Sequence, residues 1–143
     1  MALSENSTTI VEKQSSLGVP KDIPAAAGAV FFQGAIVVRN SAGFAEPATT
    51  ATTLTTEGRC RVPADNTGGA AGDITVQVDS GIFGPYVNDD GIAIADTNTL
   101  VYLVDDNTVS NDNTGKSVAG SVFEVTPDGV FVAMTNPAAP FGA

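Results

Sequence analysis

The 143-residue chain contains no histidine and no tryptophan, a single cysteine, and only six lysines and arginines together. Each shortage excludes something. Without histidine, neither the Ser-His-Asp nor the Cys-His relay can be assembled within the chain, and a His-bearing zinc site is excluded too. One thiol, Cys60, permits no internal disulfide, so the fold must rest on packing and suits assembly in a reducing cytosol. Sixteen acids against six bases give a net charge of −10. Nucleic-acid affinity comes mainly from cations that displace condensed counterions, so no DNA or RNA partner is expected. The bases are also unevenly placed: five acids and five bases lie up to Arg61, whereas beyond it eleven acids face Lys116 alone. Long apolar runs are missing as well. The longest uncharged stretch, residues 23 to 38, has 16 residues, is broken by Pro24, Gly28, Gln33 and Gly34, and is shorter than the roughly 20 needed to cross a bilayer. The opening MALSENSTT carries Glu5 where a secretory signal would be positive. Neither a membrane partner nor a targeting segment is expected.

What remains is rich in β-formers. Val, Ile and Thr number 40, while Leu, Met, Glu, Gln, Lys and Arg together reach 21, a balance that favours strands over helices. Gly and Pro add 23 residues, enough for frequent turns but below the level of low-complexity disorder. The length suits one domain with one core. Residues 1–27 lack steady periodicity and contain Pro20 and Pro24, so they read as an extended N-terminal arm, in which residues 8–13 form either a short strand or a helical turn. Residues 28–134 read as the folded domain and 135–143 as an irregular tail. In the domain, the runs on either side of Gln33-Gly34 read as two buried strands followed by a turn at Asn40 to Gly43. The Thr-rich stretch 47–58 reads as an extended edge or loop, and ITVQVD, residues 74–79, as a strand with one wet face. LVYLV, residues 100–104, and VFVAM, residues 130–134, should both be interior. Thr126-Pro127-Asp128-Gly129 makes residues 121–134 a tight hairpin. Short strands at this spacing predict an all-β fold, a small antiparallel β-barrel or β-sandwich with an extended N-terminal arm.

Few residues suggest chemistry. NTGKS, residues 113–117, falls short of a phosphate-binding loop, because Ser110 stands where the first glycine is needed and a β-branched run follows in place of a helix. Asn88-Asp89-Asp90 and Asp105-Asp106-Asn107 gather hard oxygen ligands but lack the spacing of a calcium loop, so they read as turns at strand ends. Cys60 stands between Arg59 and Arg61. In a strand it points away from both, which makes it a small buried hydrophobe rather than an activated nucleophile. No catalytic residue, metal site or cofactor is expected. Arg39, Arg59 and Arg61 are half of the cations and are candidates for pairing with acids of a neighbouring subunit.

Two stretches, GGAAGDITVQVDSGIF at 68–83 and LVYLVDDNTVSNDNTGKSVAGSVFEVTPDGVFVAM at 100–134, resemble tailed-phage capsid cement (head decoration) proteins, and the likeness extends back through residues 25–48. It is carried by the A-A-G-D-x-T-V stretch at 70–76, the V-D-D loop at 104–106, the A-G-x-V strand at 119–122 and the closing D-G-V-aromatic-V strand at 128–132, with Phe131 where relatives would have Trp. The resemblance implies a non-enzymatic protein made in the host cytoplasm and placed on the outer surface of the virion. There it would bind the major capsid protein, often as a homotrimer at threefold or quasi-threefold positions, and stabilise the shell. On this reading the neutral first half, with Ile10, Val11 and Leu17 on its arm, contacts the shell or a neighbouring copy, and the acidic second half faces outward. Two alternatives stand beside it. One is a tail, fibre or baseplate β-module. The other, more remote, is a trimeric β-rich nucleotide pyrophosphatase of the dUTPase type, although the tail lacks the Gly-rich, Arg- and Ser-bearing segment such an enzyme closes over its substrate.

Overall fold

A computed structural model describes residues 2–7, 9–15, 20–89 and 91–134. The chain is all-β, as its composition predicts. Its strands are β1 (Val11–Ser15), β2 (Lys21–Pro24), β3 (Val30–Phe31), β4 (Ile36–Arg39), β5 (Ala45–Pro47), β6 (Thr55–Val62), β7 (Ala64–Asp65), β8 (Thr75–Asp79), β9 (Gly81–Asn88), β10 (Leu100–Asp105), β11 (Thr108–Ser110), β12 (Val118–Thr126) and β13 (Gly129–Met134), with one turn of 3-10 helix at Ile94–Asp96.

Five strands close a barrel in the order β9-β11-β10-β12-β13, because β13 pairs again with β9. The β9–β11 contact is parallel, and the other pairings of this barrel are antiparallel. Closure removes the unpaired edges that make open sheets prone to adding strands. β1 lies on the first half of β9, Val11 opposite Gly84 and Ser15 opposite Gly81, on a strand whose second half pairs with β11 at Val87 and Asn88. A second sheet runs β2-β8-β6-β4-β5, and its outer strands meet at a parallel bridge between Ala25 and Ala45. β3 and β7 form a separate two-stranded pair.

Two hydrophobic clusters fill this body, and β4 is the wall between them. Ile36 and Val38 point into a cluster with Phe83, Tyr86, Val101, Leu103, Val109, Val130, Val132 and Met134. Val37 and Ala35 point the other way, into a cluster with Ile23, Phe31, Cys60, Val76 and Val78. The unbroken apolar run AIVV is what a strand dry on both faces requires. Across the wall, the buried Tyr86 hydroxyl donates to the Gly34 carbonyl at 2.9 Å. Glycine is required at this position for a separate reason, its lack of a side chain: at φ +95° a Cβ would come within 2.9 Å of the Ser7 Cβ, so only glycine lets the N-terminal segment lie this close. At Gly58 a Cβ would stand 1.9 Å from the Asp79 carbonyl oxygen, so β6 and β8 approach closely only because no side chain intervenes.

Several local expectations are corrected. The stretch read as an arm supplies two strands, with Ile10 and Ile23 buried in the first and second clusters respectively. The expected turn at Asn40 to Gly43 joins β4 to β5, with the Asn40 side chain accepting from the amides of Ala42 and Phe44, while β3 pairs with the distant β7. Part of the Thr-rich stretch is central, not edge: β6 lies between β8 and β4 because Thr56 spends its hydroxyl on the Val118 carbonyl at 2.8 Å and so can be buried. In β10 only Val101 and Leu103 face the core, and Leu100 is exposed, since a barrel wall has a dry and a wet side. The tight hairpin of β12 and β13, with Thr126 opposite Gly129, stands as expected, and β8 alternates from Thr75 to Val78; Asp79, expected on its wet face, is buried, because Arg59 and Arg61 pair with it.

Candidate functional site

The arginines expected to face a neighbour are used at home. Buried carboxylates need cationic partners or a dense set of donors, and Glu57 on β6, 5% exposed, has both Lys21 at 3.1 Å and Arg39 Nε at 3.1 Å. Arg39 also donates to the Gly43 carbonyl at 2.8 Å, which holds the β4–β5 turn. One strand over, Asp79, 6% exposed, takes Arg59 at 3.1 Å and Arg61 at 3.5 Å. The Arg59 guanidinium lies 4.5 Å from the centroid of the Phe83 ring, while its buried Nε has no hydrogen-bond partner. A cation over an aromatic face is attracted by the ring quadrupole, so Arg59 ties β6 to β9 by stacking as well as by charge. Lys116 pairs with Asp112 at 3.6 Å. Among the cations whose side chains are described, all five have a carboxylate of this chain within ion-pair distance. Cys60 is buried in the second cluster, and burial, the largest influence on it, pushes its thiol up to about 12 despite the lowering effect of Arg59. At neutral pH it is a protonated core side chain.

The other candidates divide. Ile10 is inside the first cluster at 7% exposure, so packing within the chain occupies the surface that was expected to meet a partner. Val11 is 47% exposed. Leu17 lies outside the described residues.

The acidic turns are structural at the positions described. Asp105 accepts from the Asn107 amide at 2.9 Å, a turn closing β10 onto β11. Asn88 exchanges bonds with Ile92, donating to its carbonyl at 2.8 Å and accepting from its amide at 3.3 Å; Asp90 lies outside the described residues. Among the described residues no three Cys, Asp or Glu side chains gather as a metal ion would require. In the 113–117 loop, Ser117 donates to the Ala51 carbonyl at 2.6 Å and accepts from the Leu54 amide at 3.1 Å, and the chain enters β12 directly.

The N-terminal segment organises a region of open relief that no pattern in the sequence announced. Leu3 donates its amide to the buried carboxylate of Asp106 at 2.9 Å. Asn6 accepts from the Gln33 amide at 2.9 Å, and Ser7 donates to the Gln33 carbonyl at 2.8 Å. Desolvation of Asp106, the main influence on it, raises its carboxyl above the usual range, against the lowering effect of the Leu3 amide. Residues 4–6 thereby form a ridge with a groove on each side. One, about 370 Å³, is lined by Val30, Phe31, Phe32, Pro63, Ala64 and Asp65. The other, about 890 Å³, is lined in part by Pro85, Val87, Asn107 and Asp128. Glu5 belongs to both. The segment has no apolar period to announce it; the available signal was Asn6-Ser7, two short polar side chains able to satisfy a neighbouring backbone.

No family model, no curated protein and no solved structure matches this chain.

Proposed function

We propose that the protein is a decoration or cement protein of a tailed-phage head, bound to the outer surface of the icosahedral shell and bridging subunits of the major capsid protein. The observation that carries this reading is where the resembling residues fall. Residues 100–134 supply the whole of β10 to β13, four consecutive strands of the five-stranded barrel, while residues 68–83 supply the start of the fifth, β9, and β8 of the second sheet. A closed barrel backed by a second sheet, with a dry cluster on each side of β4, is a stiff scaffold suited to acting through its surfaces. Internal pairing of the described cations leaves the outside dominated by carboxylates, which suits a protein that ignores packaged DNA. As a homotrimer touching several shell subunits, it gains from effective concentration, so modest contacts suffice to hold it and to resist shell expansion.

The adhesive surface must be probed by point variants, because removing residues 1 to 24 would take Ile10 and Ile23 out of the two clusters. Purified heads lacking the protein are mixed with increasing amounts of it, pelleted, imaged by cryo-EM and heated. Saturable uptake at hundreds of copies per head, with a higher temperature of DNA release, is expected. Heads that take up none, or mature particles that contain only a handful of copies, would overturn the reading.

A further inference from the structure

The smaller groove beside the ridge joins two kinds of group. Its apolar wall is the half-buried Phe32 with Pro63 and Ala64, over the buried Phe31, and its charged members are the exposed carboxylates of Glu5 and Asp65; among the described residues no lysine or arginine lines it. The two acids are positioned differently, Glu5 through its backbone and Asp65 through its carboxylate. Glu5 sits on a segment fixed on either side by the Leu3–Asp106 and Asn6–Gln33 bonds. Asp65 accepts from the Thr67 hydroxyl and amide through Oδ1 alone, and these bonds keep its carboxyl below the usual range.

The interior of the same molecule shows what such surroundings accept. Arg59 lies against the Phe83 ring on one side and the Asp79 carboxylate on the other. A guanidinium is planar, weakly hydrated and able both to stack on a phenyl face and to fork onto carboxylates, whereas an ammonium is a compact, strongly hydrated point charge. We propose that the groove between residues 4–6 and β3/β7 docks an arginine side chain presented by the shell subunit, its guanidinium against the phenylalanine wall and between the carboxylates of Glu5 and Asp65. The donor is a different polypeptide rather than a second copy, because Arg39, Arg59 and Arg61 are each already paired within this chain. This assignment of the partner rests on the decoration reading; the chemistry of the groove does not.

The test uses the full chain, isotope-labelled, titrated by NMR with acetyl-Gly-Arg-Gly-amide and with the same peptide carrying citrulline, which keeps the shape and loses the charge. The arginine peptide should move the amide signals of Glu5, Asn6, Phe32, Ala64 and Asp65 with a dissociation constant of about 1 mM, a weak affinity fitting one side chain. The citrulline peptide, and the arginine peptide on a Glu5→Gln/Asp65→Asn variant with an otherwise unchanged spectrum, should bind about tenfold more weakly, the sum expected of two exposed ion pairs. Equal binding of the two peptides, undiminished binding to the variant, or shifts confined to another surface would overturn the proposal. Head binding then separates the two readings. If wild type decorates heads and the variant does so equally well, the arginine dock is wrong and the decoration reading survives. If wild type does not decorate heads, the decoration reading and the shell subunit as donor both fall, while the titration still decides whether the groove selects arginine.

Discussion

Because β4 is the wall between the two clusters, substitutions at adjacent positions should weaken opposite halves of the molecule yet lower a single transition. Val38 is fully buried in the first cluster and Val37 in the second. Val→Ala removes two methyl-sized groups; at ~0.8 kcal/mol each for transfer, plus a cavity contribution, each variant should lose about 2–3 kcal/mol. For a chain of this length that corresponds to a fall in Tm of roughly 8–12 °C. Each half carries its own reporter. Tyr86 fluorescence follows the first cluster, and the thiol of Cys60, pushed up to about 12 by burial, becomes accessible to a thiol reagent only when the second cluster opens. In urea, both probes should trace one transition in wild type and in both variants, each midpoint shifted, as a cooperative unit requires. The double variant should lose about 5 kcal/mol if the separate cavities add. Two separated transitions, with Val37→Ala moving only the thiol probe and Val38→Ala only the tyrosine probe, would refute the shared wall.

Three further outcomes follow from single contacts. Tyr86→Phe leaves the buried Gly34 carbonyl without its donor and should cost about 1–3 kcal/mol, measured by urea unfolding with Cys60 accessibility as the probe. Asp79→Ala leaves Arg59 buried against Phe83 without its carboxylate and should cost about 3–5 kcal/mol, whereas replacing Arg59 and Asp79 together by leucines should cost distinctly less; equal losses would mean that the pair does not act as a unit. Asp106 holds its proton more tightly in the folded chain than at the ordinary 3.8. Between that value and its raised folded one the native state binds more protons than the unfolded state, so this group's contribution to stability falls as pH rises. Asp106→Asn, which keeps an acceptor for Leu3, should therefore gain on wild type as pH is raised from about 4 to 7, a trend that paired thermal melts across this range would reveal or dismiss.

The fold was legible where a residue's role is set by its near neighbours in sequence. The alternation of Val76 and Val78 with Thr75 and Gln77, and the Pro127-Asp128 turn between β12 and β13, depend on no distant partner, and both were readable. What distant partners decide was not. LVYLV contains nothing to say that Leu100 faces solvent while Leu103 is buried, because that depends on which side of the barrel wall each occupies. The pairing of β3 with β7 sets Val30 against Asp65, far along the chain, and no local pattern encodes it. At the candidate site, the period of β6 correctly separated Cys60 from the arginines. It could not show that Glu57 and Asp79, buried acids on neighbouring strands, would claim Lys21, Arg39, Arg59 and Arg61 from within. The groove depends on the ridge at residues 4–6 meeting β3 and β7, a meeting of three separate stretches of chain.

The place of β1 beside β9 ties together the two extremes of the described chain. β1 seats against residues 81 to 84, and Ile10 enters a cluster that includes Met134 at the end of β13. Loosening either extreme therefore opens the same dry interior, so a change at one is felt by the strand that carries the other.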